Sequence, residues 1–138
     1  MTYMLSDAVW LTIGVSMGGI LVLQFVFPDL FRGIPFLVFS RLRQAHVNPV
    51  LFAWLSPGMM GLWLYIAPQL TGRRLWSELL GNVSAILWNI AILVGIVGIV
   101  ANYTQSREYA EMIWVVDAAV EVALLMNLVN LLRPSHIA

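Results

Sequence analysis

The sequence predicts an all-α fold, an integral membrane bundle of four transmembrane helices, and three observations carry that reading. Apolar residues make up 61% of the 138-residue chain and charged residues only 10%, far from the balance of a soluble domain. Four stretches are each long enough to cross a hydrocarbon layer about 30 Å thick, which takes roughly 20 residues in a helix. Lipid offers no partner to an unpaired backbone group, so each crossing must be helical.

The first helix is expected near residues 8–27. It follows MTYMLSDAVW, which carries Asp7 but no positive charge ahead of its apolar run and no A-x-A site, so it does not read as a signal peptide and is expected to stay. Pro28, Gly33 and Pro35 then break the helix, while the Phe and Leu residues between them suit the membrane interface. The second helix is expected near 45–67 and the third near 80–101, joined by the short polar turn PQLTGRRLWSE. The most polar stretch, NYTQSREYAE, leads to a fourth helix near 112–132. No internal repeat or low-complexity tract interrupts residues 1–138, which read as a single transmembrane domain.

Charge and cysteine content narrow the chemistry. Seven arginines, no lysine and seven acidic residues give no net charge and no basic face for nucleic acid. With no cysteine, disulfides, thiolate metal sites and covalent c-type haem attachment are excluded. Any metal must be held by histidine, carboxylate or backbone oxygen. Orientation does not follow from arginine counts, because Arg73, Arg74 and Arg133 on one side face Arg32, Arg41, Arg43 and Arg107 on the other.

RLRQAHVN, residues 41–48, places the one interior histidine at the mouth of the second helix. Arg43 and His46 share a face at i and i+3. Neutral imidazole is a good axial ligand to haem iron, and a guanidinium fork suits the carboxylates on a haem rim. A histidine bonded across helices, with arginines reaching lipid phosphate, fits the same residues. Gly58 and Gly61 admit close approach of a flat cofactor or a neighbouring helix, and the Gly14-x-x-x-Gly18 spacing fits helix packing.

Glu108 and Glu111, at i and i+3, with Arg107 one turn before Glu111, form a candidate site for a hard cation such as calcium; acidic residues also simply favour a helix start. Asp117 and Glu121 lie one turn apart inside the fourth helix. They are candidates for proton transfer, or equally hydrogen-bonding groups turned to another helix or subunit, with Asn82 and Asn89 as possible partners. Asn127 and Asn130 suggest that this helix faces protein more than lipid.

Taken together, RLRQAHVN, TQSREYAE and the QFVFPDL exit of the first helix resemble the first four helices of the haem-copper oxidase catalytic subunit, in its C-type cytochrome c oxidase and nitric oxide reductase branch. The family pattern is close to G-R-L-R-P-L-H-T-N, and Val47 and Pro49 depart from it here. The resemblance implies that His46 is an axial ligand of the low-spin, electron-transferring haem b. It implies that Arg41 and Arg43 lie near propionates on the outer face, and that Glu108, with Glu111, supports a calcium. RLR and REYAE stand nearer the oxygen reductases than the nitric oxide reductases.

Such subunits have more helices than this chain, and the second low-spin ligand and the ligands of the catalytic haem-metal centre come from later ones. Here only His46 and the terminal His136 exist. The expectation is therefore a subunit of a bacterial or archaeal respiratory complex. Its haem b would be shared with a partner chain carrying the remaining helices, fed by an electron-donor subunit. The alternatives are the equivalent piece of a nitric oxide reductase, a haem-free scaffold, or a small proton-coupled carrier.

Overall fold

The computed structural model describes residues 2–133. They form four helices long and apolar enough to cross a membrane: α1 (Thr2–Val26), α2 (Phe39–Thr71), α3 (Glu78–Val100) and α4 (Trp114–Leu132). No strand occurs among the described residues. The chain runs up and down, so the ends of α1 and α3 share one face of the membrane with the starts of α2 and α4.

Two boundaries differ from the sequence reading for identifiable reasons. α1 begins at Thr2 because nothing in the first turn breaks it and Tyr3 packs inside the bundle. α2 begins at Phe39, so RLRQAHVN lies wholly within helix. Its other end is set by Gly72, whose φ of 65° reverses the chain as few other residues can. A short 3-10 turn, Pro35–Leu37, precedes α2, and Gln24 of α1 donates to Leu37 O at 2.5 Å to hold it.

α2 is not uniform. Pro49–Leu55 is a π segment, a wide turn in which Ser56 N–H reaches back five residues to Leu51 O. Pro49, which would break an ordinary helix, opens this segment, and Pro57 follows it in the first regular turn, so the wider register lies between the two prolines. In that register the next carbonyl, Phe52 O, would take a donor from Pro57, which has none. The Trp88 indole of α3 supplies it instead, at 2.5 Å. A helix irregularity is thus closed by a side chain from a neighbour.

The core runs along α3, with Trp88, Ala91, Ile92, Ile96 and Ile99 buried against Trp10, Ala53, Met112, Val116 and Ala123. Gly95 makes room for Met112, whose Sδ and Cγ occupy the space a Cβ would need. Toward the face where α1 begins, polar groups close on one another rather than on lipid. Tyr3 OH meets Ser84 Oγ at 3.0 Å, Ser84 donates to Asn127 Oδ1 at 3.1 Å, and Asn127 Nδ2 donates to Tyr3 OH at 2.5 Å. Asn130 Oδ1 accepts from Ser77 N at 2.8 Å. Asn127 and Asn130 are both buried on the one face of α4 that packs on the bundle, whereas most of that helix is exposed, unlike the protein-facing helix expected.

Candidate functional site

The start of α2 carries the polar side chains singled out by the sequence. Arg41 Nη1 lies 3.5 Å from Val100 O, among the carbonyls at the C-terminal end of α3, where a cation is favoured. Arg43 Nη1 is 3.9 Å from Glu108 Oε1, a loose, solvated pair with side chains 43% and 69% exposed. Both guanidinium groups therefore stay at one membrane face, within two turns of His46.

His46 is half-buried against α1. Its Nδ1 is 2.8 Å from Gly14 O. A carbonyl can only accept, so Nδ1 carries a proton, and in the neutral ring Nε2 keeps its lone pair. Ring access to that carbonyl depends on Gly18. In a helix the Cβ of residue i+4 leans back over residue i, and a Cβ on Gly18 would lie 2.9 Å from His46 Cε1. The Gly14-x-x-x-Gly18 spacing, read from sequence as general helix packing, is the seat of the histidine: one glycine supplies the acceptor and the other uncovers it. Gly14 also lets Val50 approach, since a Cβ there would lie 2.8 Å from Val50 Cγ2. Gly58 and Gly61 instead admit α1, through Asp7 and Tyr3.

Two residues beyond His46, Asn48 is 1% exposed and donates from Nδ2 to Gln44 O at 2.9 Å and to Glu111 Oε2 at 3.0 Å. This buried bond ties RLRQAHVN to REYAE across 63 positions of sequence. It also separates the two glutamates. Residues 101–113 form no helix, with Asn102 at φ 71° and Tyr109 at φ 61°, so the helical face expected for Glu108 and Glu111 does not exist. Glu111 turns inward and is 4% exposed, while Glu108 stays at the surface with Arg43. Among the described residues no group of three or more His, Cys, Asp and Glu is arranged around a metal position.

Gln105, which sequence reasoning did not single out, braces this connection. Its backbone N–H donates to Glu111 O at 2.8 Å, and its side-chain amide donates to Met112 O and, at 3.1 Å, to Asp117 Oδ2. Asp117 is half-buried and Glu121 is exposed. Neither pairs with the asparagines suggested for them, because Asn82 Oδ1 accepts from Thr2 and Asn89 Oδ1 accepts from Trp10. Asn82 lies toward the other end of α3 and Asn89 at its middle. His136 falls outside the described residues.

This geometry can be set beside known proteins. The family model described as Cytochrome C and Quinol oxidase polypeptide I matches residues 1–136. The chain belongs to that family. Its relatives include the Cbb3-type cytochrome c oxidase subunit CcoN1 of Stutzerimonas stutzeri, 26% identical over 120 residues, which are 87% of this chain and 25% of that protein. The cytochrome c oxidase subunit 1 homolog of Agrobacterium tumefaciens is 32% identical over 108 residues, 78% of this chain and 20% of that protein. The bacteroid homolog of Bradyrhizobium diazoefficiens has the same identity and coverage. The chain thus spans a quarter or less of the curated relatives it matches. Membership makes it a haem-copper oxidase subunit I-like membrane protein and implies haem as the family's cofactor.

Proposed function

We propose that this polypeptide I chain supplies His46 as one axial ligand of the low-spin haem b in a respiratory oxygen reductase of a bacterial or archaeal cytoplasmic membrane. The observation that carries the reading is the bond from His46 Nδ1 to Gly14 O, with Gly18 beneath the ring. In the neutral ring it leaves Nε2 as the atom that would bind iron, and a hydrogen-bonded second nitrogen is the usual companion of a metal-bound histidine. Haem b, when bound, supplies a one-electron couple.

The chain's own residues orient and balance that group. Arg41 and Arg43, held near His46 at one membrane face, are placed to offset carboxylates on a haem rim, which raises the potential of the couple. Asn48 and Glu111 lock the connection under which that rim would lie. Glu108, at the surface beside Arg43, is the accessible carboxylate for a calcium, with Glu111 three residues on and turned inward. The second axial ligand, the catalytic haem-metal centre and the electron donor are assigned to polypeptide outside these 138 residues, because the one interior histidine leaves no further ligand here and the chain covers a quarter or less of each relative. Oxygen is preferred over nitric oxide because the relatives are named as cytochrome c oxidase subunits.

The test is the reduced-minus-oxidised spectrum of the assembled complex carrying His46→Ala. The low-spin haem signal is expected to vanish while the subunits remain together on a native gel. An unchanged signal would remove the ligand assignment.

A further inference from the structure

Of the charged groups that this chain places inside the bilayer, Glu121 has the least protein around it. It lies about 10 Å beyond the start of α4 at roughly 1.5 Å per residue, and it is exposed on the outside of the bundle. Asp117, one turn nearer the membrane face, is half-buried, accepts from Gln105 and has Arg107 within electrostatic reach. Among the described residues, no hydrogen bond or ion pair engages Glu121.

Beside the two carboxylates lies a cavity of about 200 Å³, walled by Asn48 and Phe52 of α2, Ile92 of α3, Tyr109 of the connection, and Asp117 and Glu121 of α4. Asn48 adds an independent observation. Its Nδ2 is taken by Gln44 O and Glu111, but its buried Oδ1 has no donor. Acceptors outnumber donors here: two carboxylates and the amide oxygen of Asn48 against the single hydroxyl of Tyr109. Within the bilayer such a set is costly against hydrocarbon and complementary to a side chain made only of donors.

We propose that this cavity is the docking socket for a membrane helix of a partner polypeptide, which inserts an arginine or lysine between Glu121, Asp117 and Asn48. Arginine fits best, because its planar fork presents five donors and binds a carboxylate through two of them. The volume equals roughly seven waters at about 30 Å³ each, enough for a guanidinium and part of its stem. The inference rests on the reading that further polypeptide completes the assembly. It goes beyond it by naming the face and the chemistry of the contact. The two carboxylates, candidates for proton transfer by sequence, here serve as a recognition pair.

The experiment uses the complex purified from native membranes, with a photo-cross-linking benzoylphenylalanine at Leu125, one turn from Glu121 on the same face, and a control at Val22 on α1. The Leu125 probe is expected to capture a partner peptide with an arginine or lysine inside a membrane span. Glu121→Gln should weaken that product and Glu121→Lys should abolish it, whereas the Val22 product should be unaffected by either. Capture of lipid alone, capture of a peptide with no basic residue in its span, or a Glu121→Lys product at full yield overturns the proposal. The haem spectrum of the same preparations separates the two readings. A normal spectrum without the basic peptide removes only the docking face, and the expected cross-link without low-spin haem removes only the ligand assignment.

Discussion

The seat of His46 makes a quantitative demand on Gly18. An alanine there would put its Cβ 2.9 Å from His46 Cε1, whereas carbon atoms rest about 3.5–4.0 Å apart. The ring must therefore withdraw by about 0.6–1.1 Å. Its Nδ1 starts 2.8 Å from Gly14 O, so the bond would stretch past the roughly 3.2 Å at which N–H···O contacts are normally found. Losing that bond costs about 0.5–1.5 kcal/mol and forcing an extra methyl into packed contact about 1–3 kcal/mol, so Gly18→Ala should cost about 1.5–4.5 kcal/mol locally. Gly19 is the internal control, because a Cβ there meets nothing within 4 Å. Both variants would be purified in the assembled complex, and haem retention and the low-spin spectrum followed on warming. Gly18→Ala is expected to lose or shift the signal and Gly19→Ala to behave as the parent protein. Indistinguishable behaviour of the two would refute the argument that Gly18 uncovers the Gly14 carbonyl.

Two further outcomes follow from packing. Trp88→Phe removes the indole donor from Phe52 O and leaves that carbonyl in the π segment without a partner, at a cost of about 1–3 kcal/mol; thermal unfolding in detergent should show a lower midpoint, while Trp63→Phe, on an exposed side chain, should not. Gly95→Ala drives a methyl into Met112 and should destabilise the α3–α4 contact, and adding Met112→Ala should recover most of the loss, a coupling readable in a double-mutant cycle.

The four crossings were legible because a bilayer imposes a length and an apolar composition that survive in the sequence without any tertiary information. His46 was legible for the same reason, as a lone imidazole among residues that lipid would accept. What escaped was local geometry that depends on a neighbour. Pro49 and Pro57 do not disclose a π segment, because its tolerance rests on Trp88, more than thirty positions away. Glu108 and Glu111 were placed on one helical face by their spacing, but the chain reverses at Tyr109 and the buried bond to Asn48 draws Glu111 inward. Of the asparagines suggested for Asp117 and Glu121, Asn82 belongs to the opposite end of the bundle and Asn89, at the middle of α3, is engaged by Trp10, matters of depth and packing that polarity alone does not encode. The two glycines under His46 carry a readable signal in hindsight: a pair at i and i+4 on the helix just before one that opens with a histidine.

The wide turn in α2 has a consequence for the timing of its two halves. Each five-residue reach adds one position to the rotation, so residues after Leu55 are out of phase with those before Pro49. The upper cylinder can thereby be keyed to Gly14 and Gly18 while the lower one is keyed separately, through Gly58 and Gly61, to Asp7 and Tyr3 of the same neighbour. Gaining a further residue between positions 49 and 55, beyond what the wide turn already absorbs, would swing one half about its axis and set the imidazole and the lower glycine pair against different neighbours.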